Sequence, residues 1–237
     1  MATRPRVLLL HAFPLDCRMW AETKGALEEA GYAVSAPDLP GPEAESSLGA
    51  WAERVLHAGE ERVVPVGVSM GGYLAFELWR RLPERVAALV LVNTRAGEET
   101  SESRRGRDET IQLLHDEGVP ALWERLESVL FAPGAPPELV GRAREIALEQ
   151  GAERLAAAVA AIRDRPDSTV LLAEIDAPAL VVVGDEDSLI PPAESEALAE
   201  RLPNARLRRI AGAGHLSPFE QPAEFNRELL GFLAEIS

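Results

Sequence analysis

Short apolar runs alternate along this chain with longer segments of helical period, and that alternation restricts the fold more than any other feature. The runs are Val7–Phe13, Tyr32–Asp38, Arg62–Val68, Val86–Asn93, Ala179–Asp185 and Ala205–Gly212. Val7–Phe13 is apolar almost throughout, not at every second residue, as expected of a strand buried on both faces. Ala205–Gly212 is more polar and reads as an edge strand. Helical segments lie between and after them, at Glu22–Gly31, Ser47–Gly59, Gly71–Leu82, Pro192–Leu202 and Pro222–Ile236. Strand and helix in this order build a parallel sheet with helices on both faces, so the fold class is α/β.

The alternation breaks once. Residues 98–167 carry helical patterns and no strand. Val119–Leu130 sets Leu122, Trp123, Leu126, Val129 and Leu130 at i, i+3, i+4 spacings, an amphipathic stripe, and Glu138–Gln150 and Ala152–Arg163 repeat the pattern. This divides the chain into a core, 1–97 and 168–237, and a helical insertion, 98–167. The insertion is expected to cap the carboxyl edge of the sheet, where ligands bind in open α/β sheets. The alternative is a set of ordinary packing helices on one face. Pro65 stands against the pattern, because it falls in a strand that should be central and removes a ladder donor.

After the third run comes Gly67-Val68-Ser69-Met70-Gly71. A serine between two glycines, after a strand and before a helix, is the setting of a nucleophile elbow. A serine hydroxyl needs a base to take its proton. Of the four histidines, His57 falls on a helix, His115 among charges in the insertion, and His11 at the end of the first strand. His215 lies in a loop after the last strand, at the same edge as Ser69, and is the residue placed to act as base. Three acids, Asp185, Glu186 and Asp187, follow the fifth strand and can supply the carboxylate that orients a catalytic imidazole. Read as a metal cluster instead, they lack any further ligand at metal spacing. An oxyanion needs two backbone N–H donors. Met70, the residue after the serine, is one candidate. Phe13, in the loop after the first strand, is the other, since Pro14 has no N–H.

Composition removes several function classes. The formal net charge of −15, spread along the chain, argues against nucleic acid and anionic membranes as partners. No run approaches the ~18 apolar residues of a membrane span. The stretch "MATRPRVLLLHAFPL" has too short an apolar run, interrupted by His11, and no small-residue cleavage site, so it reads as a strand and not a signal peptide. A single cysteine, Cys17, makes an internal disulfide impossible, and a cytoplasmic protein is the simplest expectation.

The segments "HAFPLDCRMW", "GVSMGGY", "ALVLVNTRAG", "VVVGDEDSLIP" and "GAGHLSPFEQP" together resemble the α/β-hydrolase superfamily over nearly the whole chain, most closely the small esterases and enol-lactonases related to 3-oxoadipate enol-lactonase. The resemblance implies about six parallel strands, with the Tyr32–Asp38 strand at one edge, since the chain begins at what would be the family's third strand. The family's acid lies three residues after the glycine ending its strand, which points to Asp187 after Gly184. It also implies a serine hydrolase of a small carboxylic ester or lactone, with no cofactor and no metal. The sequence departs from the family at Ala12, where His-Gly is common, and at Pro65. Expected pocket residues are Tyr73, Trp123, Leu126, Leu130 and Phe131, with packing against the sheet as the alternative for the two aromatics of the insertion; Arg95 is a candidate for a substrate carboxylate, with a surface ion pair as the alternative. Other outcomes on the same fold are carbon–carbon hydrolysis, acyl transfer, cofactor-free haloperoxidation or a non-catalytic binding module; Ser69 argues against the aspartate-nucleophile dehalogenases and epoxide hydrolases.

Overall fold

The computed structural model describes residues 4–39, 47–57 and 61–236, and of residues 56 and 57 the backbone alone. Six strands form one parallel sheet: β1 (Arg6–Leu10), β2 (Val34–Ser35), β3 (Val63–Val68), β4 (Leu89–Val92), β5 (Ala179–Gly184) and β6 (Ala205–Ile210), in the order β2-β1-β3-β4-β5-β6. β2 lies at the edge expected of Tyr32–Asp38 but keeps only two paired residues, opposite Val7 and Leu8. The other edge is β6, whose side chains alternate towards solvent. Ten α-helices accompany the strands among the described residues: α1 (Ala21–Glu29), α2 (Leu48–His57), α3 (Met70–Arg81), α4 (Ser101–Asp116), α5 (Gly118–Leu130), α6 (Pro137–Leu148), α7 (Ala152–Arg163), α8 (Pro192–Arg201), α9 (Ser217–Glu220) and α10 (Pro222–Glu235). None is long and apolar enough to cross a membrane.

The period of two along each strand divides the core into two layers. Leu8, Leu10, Leu89, Leu91 and Val181 join side chains of α2, α3 and α8, among them Trp51, Phe76 and Leu198. Val7, Leu9, Val66, Val90 and Val182 join those of α1 and α10, among them Leu27, Phe225 and Leu229. α4–α7 fill the break between β4 and β5 and meet both layers. Leu114, Leu155 and Val159 belong to the first, Trp123, Leu130 and Leu139 to the second.

Pro65 does sit in a central strand, between β1 and β4, and its neighbour accommodates it. β3 and β4 are in register from Val66↔Val90 onward, but the preceding bridge is Val63↔Val86. Val64 and Pro65 therefore face three residues, Ala87, Ala88 and Leu89, a one-residue bulge beside the missing donor. The side chains carry the same signature. Val86 and Leu89 point into the same layer although they are three residues apart.

Candidate active site

The turn from β3 into α3 is tight enough to dictate its residues. Ser69 has φ +52° and ψ −110°, a region a side-chain-bearing residue seldom occupies, and the strain is held by the surroundings. Ser69 N–H donates to Val92 O at 2.9 Å, and Thr94 Oγ1 donates to Ser69 O at 2.9 Å. A Cβ at residue 67 would lie 2.2 Å from Gly71 O, and one at residue 71 would lie 2.2 Å from Leu10 O. Glycine at both positions is thus what lets the turn close and leaves Ser69 partly exposed at the sheet edge. Met70 opens α3, where the first N–H groups have no acceptor within the helix.

The loops after β5 and β6 meet in a buried pair. His215 Nδ1 is 2.9 Å from Asp187 Oδ2, and neither side chain reaches solvent. Asp187 Oδ2 also accepts from Asn93 Nδ2 at 2.7 Å, and its Oδ1 accepts from the N–H groups of Leu189 and Ile190, each at 2.9 Å. Burial alone would push this carboxyl up; the hydrogen bonds from His215, Ile190 and Asn93 outweigh it and hold the group below its ordinary value. With Nδ1–H donated to Asp187, the ring's lone pair is on Nε2, which is buried without a hydrogen-bond partner among the described residues. The other two acids after β5 are exposed, and Asp185 braces a turn by accepting from Gly212 N–H at 2.8 Å.

Residues absent from the sequence reading support this pair. Asn93, itself at φ +46°, donates to Asp187 and Gly214 O while its Oδ1 accepts from Ser217 Oγ at 2.5 Å. Glu220 Oε1 accepts from Gly214 N–H at 3.0 Å and Leu216 N–H at 3.1 Å, the residues either side of His215, and Oε2 accepts from Ala132 N–H at 2.8 Å. Burial pushes the Glu220 carboxyl up, against the pull of those donors. No local sequence signal marks these roles; only a glutamate five residues after the loop histidine hints at one.

A cavity of about 60 Å³ opens over Ser69, lined by Phe13, Tyr73, Leu126, Leu130, Arg95 and Arg107 among others. Two expected pocket residues do not line it. Trp123 and Phe131 pack on one another, ring centres 6.3 Å apart, within the layer shared with α10. The α5 stripe is wider than one contact, and its Trp123 edge faces the core while Leu126 and Leu130 reach the cavity. Ala12 buries its methyl in that same layer, and its N–H points at Met19 Sδ, 3.2 Å away. His11 is buried and satisfied, its Nε2 accepting from Leu39 N–H at 2.9 Å and its Nδ1 3.1 Å from Ala12 O; burial lowers its pKa. His115 meets Glu153 at the surface. The side chain of His57 lies outside the described residues. Asp16, Cys17 and Asp38 bring possible metal-ligand atoms within 4.8 Å. Arg18 and Gln150 already engage Asp16, and burial pushes the Cys17 thiol up to about 11, so it keeps its proton and ligates poorly.

The α/β-hydrolase fold family matches residues 5–222. The chain is an α/β-hydrolase. A thermophilic esterase from Thermogutta terrifontis, solved with malate bound, superposes on this hydrolase with a TM-score of 0.94 at 33% identity, covering 100% of this chain and 92% of that one. The pimeloyl-[acyl-carrier protein] methyl ester esterase of Aromatoleum aromaticum is 31% identical over 91% of this chain and 92% of its own. The 3-oxoadipate enol-lactonase 2 of Acinetobacter baylyi is 25% identical over 95% of this chain and 87% of its own.

Proposed function

We propose that this α/β-hydrolase is a serine hydrolase of small carboxylic esters or lactones, working through an acyl-enzyme. The observation that carries the reading is the buried His215–Asp187 pair, 2.9 Å apart, at the sheet edge where Ser69 stands on its strained turn. Ser69 Oγ attacks the carbonyl carbon as His215 Nε2 takes its proton. The carbonyl oxygen gains the negative charge and is held by the Phe13 and Met70 N–H groups. His215 then gives the proton to the leaving alkoxide. A water enters, loses a proton to His215 and attacks the acyl carbon, and Ser69 recovers its proton as the acid departs. Asp187 stabilises the charged ring and fixes its tautomer. These steps call for no metal or cofactor. Residues 98–167 form the roof over the carbonyl and exclude water from the oxyanion. The relatives named as a methyl ester esterase and an enol-lactonase support the substrate class. The net charge keeps nucleic acid from being a partner, and a cytoplasmic setting suits the single cysteine.

A fluorophosphonate probe on the folded protein tests the reading. Labelling at Ser69, lost in Ser69→Ala together with turnover of p-nitrophenyl esters, is the expected result. A folded protein that stays unlabelled would sink it.

A further inference from the structure

At the rim of the cavity over Ser69, one buried carboxylate is outnumbered. Glu99, with no exposed side-chain surface, accepts from Arg165 Nη1 at 2.6 Å, from Arg107 Nη2 at 3.2 Å and, through its other oxygen, from Arg95 Nη2 at 3.2 Å. Three guanidinium groups against one carboxylate leave two positive charges unbalanced. Ser103 and the guanidiniums together act strongly on Glu99. Burial would raise its carboxyl, yet the hydrogen bonds from Ser103 and Arg165 and the charges of Arg165 and Arg107 bring it to about 2.

The three arginines are not equivalent. Arg165 is buried, binds Gly97 O and Ile162 O as well as Glu99, and lies 4.3 Å over the Tyr73 ring. It alone satisfies what the fold needs, tying the end of α7 to the segment after β4. Arg95 and Arg107 are different. Each keeps about 30% of its side-chain surface exposed and both line the cavity that holds Ser69. Arg95 Nε is enclosed without an acceptor among the described residues. Among the described residues no acidic side chain lines the cavity, and its other walls are apolar, apart from Ser69 and Tyr73. Glu99 fixes both guanidiniums in place, so an anion meets a preorganised pair.

We propose that the substrate carries, besides its ester or lactone carbonyl, a free carboxylate bound by Arg95 and Arg107. This rests on the serine-hydrolase reading and narrows its substrate class. The charge of the chain as a whole, −15, does not favour an anion. Beyond ~8 Å that field is screened at physiological ionic strength, so the selection is made inside the cavity by the two arginines. The apolar walls beside them then take a short methylene spacer between the two ends.

The test compares mono-p-nitrophenyl glutarate, which keeps a free carboxylate, with p-nitrophenyl pentanoate, each corrected for spontaneous hydrolysis. Wild type should favour the hemiester by about ten- to a hundredfold in kcat/KM, and Arg95→Gln or Arg107→Gln should each lower that ratio by about tenfold. Arg107→Lys should restore part of it, since charge remains and the fork is lost. Should Arg95→Gln fail to fold, Arg107→Gln carries the comparison alone. Glutarate binding to Ser69→Ala, followed by thermal shift, reads the anion site without turnover and should weaken in Arg107→Gln. Turnover of both esters at a ratio near one, or a ratio unchanged in the variants, overturns the inference and leaves the hydrolase reading standing. Absence of all turnover with glutarate still bound would do the reverse. No glutarate binding in any form overturns the anion site whatever the chemistry.

Discussion

Asp187 and Glu99 are both buried carboxylates at the carboxyl edge of the sheet, and each lies below its ordinary pKa in spite of burial. Their partners differ. Asp187 is met by an imidazole, an amide and two backbone N–H groups, which use both oxygens and fix one ring. Glu99 is met by three guanidiniums, whose combined charge exceeds its own. The first arrangement matches donors to acceptors and leaves only the lone pair on His215 Nε2 unengaged. The second leaves positive charge facing a cavity. A saturated carboxylate orients a neighbour; an outnumbered one stiffens cations for something else to bind.

The strongest way to break the first arrangement is to remove what it orients. His215→Ala and Ser69→Ala should each lower kcat by as much as ~10⁶, and the double variant should be little worse than either single. Steady-state and burst kinetics check this; losses that multiplied would separate the two residues. Asp187→Asn keeps the shape but favours the wrong tautomer, for a loss of about 10⁴ in kcat. Asp185→Asn, which alters only a turn brace, should stay close to wild type, and equal losses would remove the distinction between these acids.

Breaking the second arrangement should act on stability first. Glu99→Gln leaves like charges crowded around a neutral amide, at about 3–5 kcal/mol in urea unfolding at neutral pH. The pH dependence has a definite sign. The Glu99 carboxyl falls from 4.5 to about 2 on folding, so its contribution is fully present above pH 4.5 and fades as pH drops through about 2. The gap between wild type and Glu99→Gln should therefore narrow over that interval. A constant gap would show that packing, not charge, holds the cluster. The mildest change sharpens the first arrangement. Glu220→Gln has one acceptor oxygen for three N–H groups around His215, and kcat should fall about tenfold with KM little changed. A change in KM alone would place Glu220 outside the positioning of the ring.

Much of the fold is legible because parallel strands buried on both sides must be apolar throughout, and β3, β4, β5 and β1 beyond Arg6 are. The strand ends carrying Ser69 and Asp187 are legible for the same reason, whereas His215 follows β6, an edge strand legible by its greater polarity. What the sequence hides is pairing at a distance. Asn93 and Ser217 are 124 residues apart, and Arg165 and Glu99 are 66 apart, with nothing local to couple them. The three adjacent acids do not by themselves separate Asp185, Glu186 and Asp187; the resemblance points to Asp187, and it is the one of the three that is buried. Trp123 shows the limit of periodicity. Its spacing says that it faces inward, yet α5 touches both a core layer and a cavity, and only the packing decides which one Trp123 meets.

Pro65 also has a consequence for how the sheet assembles. Regular strands can slide past one another by a residue with every hydrogen bond remade, and such a slip turns each side chain to the opposite face. The bulge opposite Pro65 makes the successive alignments of β3 and β4 inequivalent, because only one of them puts the missing donor beside the extra residue. The proline works as a key in a lock, selecting among near-identical misassemblies in the strand that ends at Ser69. Exchanging it for valine would supply a ladder donor and remove the discrimination, so the cost should appear as mispaired, aggregation-prone product on refolding more than as a weaker native state.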